Sequence, residues 1–172
     1  NFDYGLNQIW QSLYTGASLF LHELVFPNDC LDFIENEKIT AIPLMPVVIS
    51  KLFDRRFLDI TKNHNFSHVK YICSSGGRLS GEMLKNVAET FPKSKFYSMY
   101  GLTEAFRSSF LEPSQLSRRP ESIGKPIPDV QIYIMDEFGN FCSPNVVGEL
   151  VHRGGCISKG YWQDELSTKH RF

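Results

Sequence analysis

The sequence predicts an α/β fold: a βαβ parallel-sheet unit followed by a small antiparallel, β-barrel-like unit. Three observations carry this. Short apolar runs at 17–23, 40–45, 69–74 and 95–100 alternate with stretches whose apolar residues recur at helical spacing, the pattern of βαβ units. The last two runs empty into glycine-containing turns. Beyond Glu104 the helical period disappears, and residues 130–135 (VQIYIM) alternate apolar and polar, as a half-buried antiparallel strand does.

Each element has a local justification. Residues 17–23 (ASLFLHE) have the length and apolarity of a strand. A helix over 28–38 follows, with Leu31, Phe33 and Ile34 on one side and Asp29 as its N-cap. Residues 40–45, with Ile42 and Leu44, form the next strand. Pro46 then opens a helix carrying Val47, Val48, Leu52 and Phe53, because its fixed φ and missing N–H suit the first helical position. Residues 69–74 (VKYICS) form a third strand, and Ser80 caps a helix with Met83, Leu84, Val87 and Phe91 on one face, ended by Pro92. Lys95–Tyr100 (KFYSMY) is the fourth strand, stopping at Gly101. A loop rich in Pro and Gly runs from Pro120 to Pro128, before strands at 130–135 and 148–153 joined through the turn cluster Asp136-Glu137-Phe138-Gly139-Asn140. The texture changes near residue 120, which divides the chain into units 1–119 and 120–172. Ile9, Trp10 and Leu13 share a helical face, read as core rather than as a cofactor box.

Composition removes several functions. Of 172 residues, 42% are hydrophobic and 22% charged, which argues against wholesale disorder. Eighteen basic and 19 acidic residues give a net charge of −1, so the clustered basic surface of a nucleic-acid binder is not expected. Pro43 and Pro46 break the longest apolar stretch, far short of the ~18 residues of a membrane span. The four cysteines (30, 73, 142, 156) form no C-x-x-C pair and no zinc spacing with the five histidines. They read as reduced thiols of a cytoplasmic protein. The histidines, His22, His64, His68, His152 and His170, read as surface or core-packing residues, and Arg55-Arg56 and Arg118-Arg119 as solvated loop charges, the second pair also suited to touch a phosphate-bearing thiol donor. Asn1 is not a natural start, so the chain is expected to be an excised piece.

Three stretches carry chemistry. Ser74-Ser75-Gly76-Gly77-Arg78-Leu79-Ser80 sits at the carboxyl end of a strand, where ligands bind in open α/β sheets, and its glycines permit close backbone approach. By itself it equally describes an ordinary strand-to-helix turn, and it lacks the Gly-Lys-Ser/Thr of a Walker loop. Ser98-Met99-Tyr100-Gly101-Leu102-Thr103-Glu104 closes the neighbouring strand. An aromatic ring there can stack on a base, a hydroxyl can donate to a phosphate, and a carboxylate can hold Mg²⁺ beside that phosphate. It also describes a tight turn with a packing Tyr and a solvated Glu. The third stretch, Gly148-Glu149-Leu150, Arg153-Gly154-Gly155 and Gly160-Tyr161-Trp162, reads as a glycine-punctuated hairpin with aromatic packing and a structural role.

Taken together, Y-G-x-T-E after a strand, I-G-K-P-x-P at 123–128, D-E-x-G at 136–139, G-E-L and G-Y-W, in that order, resemble the adenylate-forming superfamily. That group contains acyl-CoA synthetases, the adenylation domains of nonribosomal peptide synthetases, and firefly luciferase. Residues 1–21 also resemble the segment that precedes the acyl pocket in that family, so the resemblance covers essentially the whole chain. It implies a reaction in which a carboxylate attacks the α-phosphate of ATP, giving an acyl-adenylate and pyrophosphate. A thiol of CoA, or of a carrier protein's phosphopantetheine, then takes the acyl group. It implies ATP, Mg²⁺ and CoA as the small molecules. By the same resemblance Gly76, Gly77 and Arg78 line the adenine and acyl pocket, chiefly through backbone, Tyr100 stacks on adenine, Thr103 contacts the α-phosphate, and Glu104 binds Mg²⁺. Leu102 and Phe106 cap an apolar acid pocket or pack in the core.

Some positions depart from the family pattern. Ser98 stands where Asn or Gln is frequent, and Arg78 where a small or acidic residue is frequent. Asp3 aligns with an Asp that binds the substrate amino group in amino-acid adenylation domains, although it also suits a helix entry. The following Tyr4-Gly5-Leu6-Asn7-Gln8 looks more like bacterial acyl-CoA ligases. The family's phosphate loop with its Lys, its ribose-binding Asp and its C-terminal domain with a catalytic Lys have no counterpart in the 172 residues, so these residues alone are not expected to catalyse adenylation. The first reading is therefore the central portion of an AMP-forming acyl-CoA ligase with a small carboxylic acid as substrate. Beside it stand an amino-acid adenylation domain serving a carrier protein, and a non-catalytic nucleotide- or acyl-binding module.

Overall fold

The computed structural model describes residues 3–53 and 64–172; Arg55-Arg56 lie outside them. A mixed sheet of five strands, in the order β1-β2-β3-β4-β5, forms the centre. Its parallel half is β1 (Ala41–Leu44), β2 (Tyr71–Ser74) and β3 (Lys95–Tyr100), in register Leu44↔Ser74 and Ser74↔Ser98. Two short strands, β4 (Ser109–Leu111) and β5 (Lys125–Pro126), extend it antiparallel. A separate two-stranded antiparallel sheet follows, β6 (Val130–Met135) against β7 (Glu149–Gly154). The helices are α1 (Asp3–Thr15), α2 (Pro27–Asn36), α3 (Pro46–Leu52), α4 (Gly81–Thr90) and α5 (Glu165–Arg171).

The core explains why the parallel half is so short yet ordered. Leu31 and Ile34 of α2, Ile49 and Leu52 of α3, Ile72 of β2 and Val87 of α4 are buried in one cluster with Phe53, Phe66, Phe91 and Phe96. Strands of four residues cannot hold themselves together; burying a side chain of this kind contributes roughly 1.5–3 kcal/mol relative to exposure. Two helix starts follow from local chemistry. Pro46 occupies the first turn of α3, and the Ser80 hydroxyl accepts a hydrogen bond from the Met83 amide, 3.2 Å away, at the start of α4. Among the described residues no helix is long and apolar enough to cross a membrane, and all four cysteines are free thiols.

Three expectations are corrected. Residues 17–23 are not a strand; they form an exposed irregular segment in which His22 stacks on Phe33 of α2 at 4.4 Å and Phe20 meets the same ring edge-on at 6.0 Å. The run neither pairs in a sheet nor joins the core, and Leu21 is 85% exposed. Asp29 is not the N-cap of α2. Phe26 takes that position and Pro27 the first helical one, and Asp29 lies in the first turn, where its charge suits the helix dipole. Finally, the face of α1 carrying Ile9, Trp10 and Leu13 is not core: Trp10 is 61% exposed and Leu13 68%. The helix is anchored instead by Tyr4, buried, whose hydroxyl donates to the Cys73 carbonyl oxygen at 2.8 Å.

Candidate functional site

The parallel strands β2 and β3 run side by side, so their carboxyl ends deliver two loops to one sheet edge. One contains Ser74 to Ser80 and the other Tyr100 to Ser108. The N-terminal turn of α1 joins them there through Tyr4 and Cys73. This is the edge at which open α/β sheets bind ligands.

The second loop is tightly folded. Leu102 and Ala105 exchange backbone hydrogen bonds of 3.1 and 3.2 Å. Gly101 makes room for this turn: a Cβ there would lie 2.6 Å from the Arg107 nitrogen. The buried Ser108 hydroxyl donates to the Ala105 carbonyl at 2.9 Å. With its hydrogen so engaged, Ser108 Oγ accepts from His152 Nδ1, 3.2 Å away on β7. That assigns the Nδ1–H tautomer of His152 and leaves its buried Nε2 without a partner. Burial pushes the His152 pKa down, so the ring is neutral. Its ring meets Tyr100 edge-on at 5.9 Å, which ties the end of β3 to the second sheet. This contact fits the reading of His152 as a packing residue.

Thr103 is exposed at the tip of the loop and Glu104 is half-buried beside it. The Tyr161 hydroxyl donates to Glu104 Oε1. This bond is the main cause holding the Glu104 carboxyl below its ordinary range, and in return it raises the Tyr161 phenol. Backbone supports the same junction: the Ser158 amide donates to the Glu104 carbonyl at 2.8 Å, and Ala105 bridges Ile157. Tyr161, on a stretch that reads as structural, also places its hydroxyl on the carboxylate at the centre of the motif. No sequence pattern could have found a contact 57 residues apart.

Gly76, Gly77 and Arg78 lie exposed on the first loop. Gly76 has φ of +83°, a conformation that favours glycine, and a Cβ on Gly77 would press on Pro46 at 3.3 Å. The Arg78 side chain turns outward to pair with Glu121, so only its backbone remains on the loop.

On the α1 side, Asp3 Oδ1 and Asn7 Oδ1, one helical turn apart, are buried and without hydrogen-bond partners among the described residues. The Arg107 guanidinium lies over the Tyr4 ring at 5.1 Å. Leu102 and Phe106 are half-buried on the same loop as Arg107. The geometry therefore gathers Tyr100, Thr103, Glu104, His152 and Tyr161 on one side, and Asp3, Tyr4, Asn7 and Arg107 on the other. Arg107 was not singled out by sequence. A lone Arg after a T-E motif reads as a surface charge until the fold turns it inward.

Known proteins share this chain's sequence pattern and fold. The family described as AMP-binding enzyme matches residues 1–162. A 4-coumarate–CoA ligase of Pinus taeda is 31% identical over 96% of this chain, which spans 31% of that protein. Gramicidin S synthase 1 of Brevibacillus brevis is 28% identical over 100% of this chain, which spans 15% of it. Among solved structures, the crystal structure of VinN superposes with a TM-score of 0.86 at 26% identity, over 98% of this chain and 41% of that one. The chain thus spans less than half the length of each of these relatives.

Proposed function

The chain belongs to the AMP-binding enzyme family, and from that premise we propose that it supplies the acid and adenine sites of an AMP-forming acid–thiol ligase. In that reaction a carboxylate oxygen attacks the α-phosphorus of ATP and pyrophosphate leaves. The thiol sulfur of CoA then attacks the acyl carbonyl of the adenylate and AMP leaves. The observation that carries this reading is the convergence of the Ser74–Ser80 and Tyr100–Ser108 loops at the carboxyl ends of two neighbouring parallel strands.

The residues divide the work. Gly76 and Gly77 let the backbone approach adenine and Tyr100 offers it a ring face, with His152 packed edge-on against that ring. Thr103, exposed at the loop tip, donates to a phosphate oxygen. Glu104, kept ionised by Tyr161, fits Mg²⁺. A carboxylate has about four lone-pair sites, so one hydroxyl leaves acceptor capacity. Among the described residues no three or more His, Cys, Asp or Glu gather into a metal cage, which suits an ion carried by one carboxylate and nucleotide phosphates. When bound, Mg²⁺ neutralises phosphate charge and orients the leaving pyrophosphate. What the chain itself contributes is positioning of acid and phosphate. Residues 1–119 hold these groups, and the unit 120–172 closes on Glu104.

A second reading, amino-acid adenylation delivering to a carrier protein, is favoured by one observation: Asp3 Oδ1 is buried and unpartnered, as an acceptor awaiting an ammonium group would be. ATP–pyrophosphate exchange by the full-length protein against fatty, aryl and amino acids tests both. Exchange with at least one acid is expected, with Glu104→Gln losing about 10²-fold or more in rate. If no acid supports exchange, the ligase reading fails. If Asp3→Ala abolishes exchange with amino acids only, the second reading replaces the first, and thioester formation on free CoA separates the acceptors.

A further inference from the structure

We infer that the acid activated at this site carries a second carboxylate, seated on the Nε and Nη2 donors of Arg107; the inference rests on the ligase reading above. Both donors are buried and, among the described residues, have no hydrogen-bond partner. They are the two N–H groups on one side of the guanidinium, which point in parallel and match the two oxygens of a carboxylate. Arg does not deprotonate, so burial cannot be relieved by loss of charge as it can for Lys. The Tyr4 ring beneath the guanidinium, 5.1 Å from its carbon, compensates in part, since an aromatic face attracts a cation. It offers no acceptor to the N–H groups at the edge. The Tyr4 hydroxyl is itself committed to Cys73.

The backbone is bent to put Arg107 there. Its φ is +50°, an uncommon conformation for a residue with a side chain, and one that clusters where structure serves a site. Gly101 is needed beneath it, because any Cβ would strike the Arg107 nitrogen and Cα at 2.6 and 2.9 Å. A surface arginine requires neither concession. On α1, Asp3 Oδ1 and Asn7 Oδ1 are likewise buried and, among the described residues, unpartnered. The open Arg107 fork fits an anionic group better than the apolar tail that Leu102 and Phe106 suggest, while the open acceptors of Asp3 and Asn7 suit an N–H or O–H donor elsewhere on the same acid.

The test uses pyrophosphate exchange by the full-length protein with short dicarboxylic acids, with and without an α-amino group, each paired with its monoamide. The monoamide matches the shape and keeps one carboxylate to activate. Wild type is expected to favour the diacid by about 10²-fold or more in kcat/KM, as sites built around buried polar groups reject analogues that leave them unpaired. Arg107→Met should collapse that ratio, and Arg107→Lys should restore part of it, charge without the fork. A merely structural Arg107 would lower all rates together and leave the ratio unmoved, which overturns the inference. Wild type preferring neutral monocarboxylates overturns it as well, independently of any variant, while leaving the ligase reading intact. Exchange with no acid at all removes the reading and the inference together.

Discussion

Tyr161, on the segment that follows the second sheet, donates its hydroxyl proton to Glu104 at the tip of the β3 loop. The carboxylate and the hydroxyl are 57 residues apart, and no other side chain is the main cause of the lowered Glu104 pKa. Removing the hydroxyl in Tyr161→Phe should let the carboxyl titrate back toward the ordinary value of about 4.3. The sign is fixed by linkage. A carboxyl whose folded pKa is depressed contributes stability above its unfolded pKa and loses it as pH falls through the folded value. The wild-type advantage over Tyr161→Phe should therefore be present at neutral pH and vanish in acid. Carbon-13 NMR titration of Glu104 checks the first part, and urea unfolding at neutral and acid pH the second; a Glu104 titration curve unmoved by the substitution would refute both.

His152 makes a pH prediction of its own, through burial rather than a partner. Its ring is neutral because burial depresses its pKa. An unfolded His protonates below about 6.5, so acid favours the unfolded chain from that pH down to the folded pKa. Ser108→Ala removes the acceptor for Nδ1–H and leaves both ring nitrogens without partners. A buried polar group so stranded costs about 1–3 kcal/mol. Nitrogen-15 chemical shifts should report the Nδ1–H tautomer in wild type, and its loss in Ser108→Ala.

The legible parts of this fold are the ones set by local physics. Residues 95–100 and 130–135 form the expected strands because alternation or a bounded β-rich run acts within a few residues. Pro46 and Ser80 act on the nearest helical turn, so their places were readable too. The run at 17–23 misled because apolar content alone requires neither pairing nor burial; here the segment is exposed, with Phe20 and His22 resting on Phe33 of α2. The motif order exposed the loop from Tyr100 to Glu104. Tyr161 and Arg107 were hidden for a different reason. Each acquires its role from a partner distant in sequence, Glu104 in one case and Tyr4 in the other, and no spacing rule encodes such contacts.

Ser80 offers a clean measure of a helix cap. Its hydroxyl takes the Met83 amide at the start of α4, and α4 buries Val87 in the core. Ser80→Ala should cost about 1 kcal/mol, and Ser80→Gly only a few tenths. Urea midpoints of the two variants, read at unchanged m-value, separate the lost hydrogen bond from any change in packing. Equal midpoints for Ala and wild type would show that the cap contributes nothing.

Two glycines contrast space with conformation. Gly5 lies within α1, and a Cβ there would meet nothing within 4 Å. Gly5→Ala should be neutral or stabilising by up to about 1 kcal/mol, since Ala loses less backbone entropy in a helix. Gly101 faces backbone on three counts, the Arg107 nitrogen at 2.6 Å, its Cα at 2.9 Å and the Ala105 carbonyl oxygen at 3.3 Å. Backbone cannot rotate aside as a side chain can, so Gly101→Ala must open the turn held by Leu102 and Ala105. Overpacking of this kind costs about 1–3 kcal/mol. It should also displace Glu104 from Tyr161 and Arg107 from Tyr4 at once, because all four meet through this one loop. The expected result is a lowered melting temperature together with loss of the depressed Glu104 pKa in Gly101→Ala, and neither change in Gly5→Ala. A Gly101→Ala protein that kept the Glu104 titration of wild type would show that the loop adapts without moving its carboxylate.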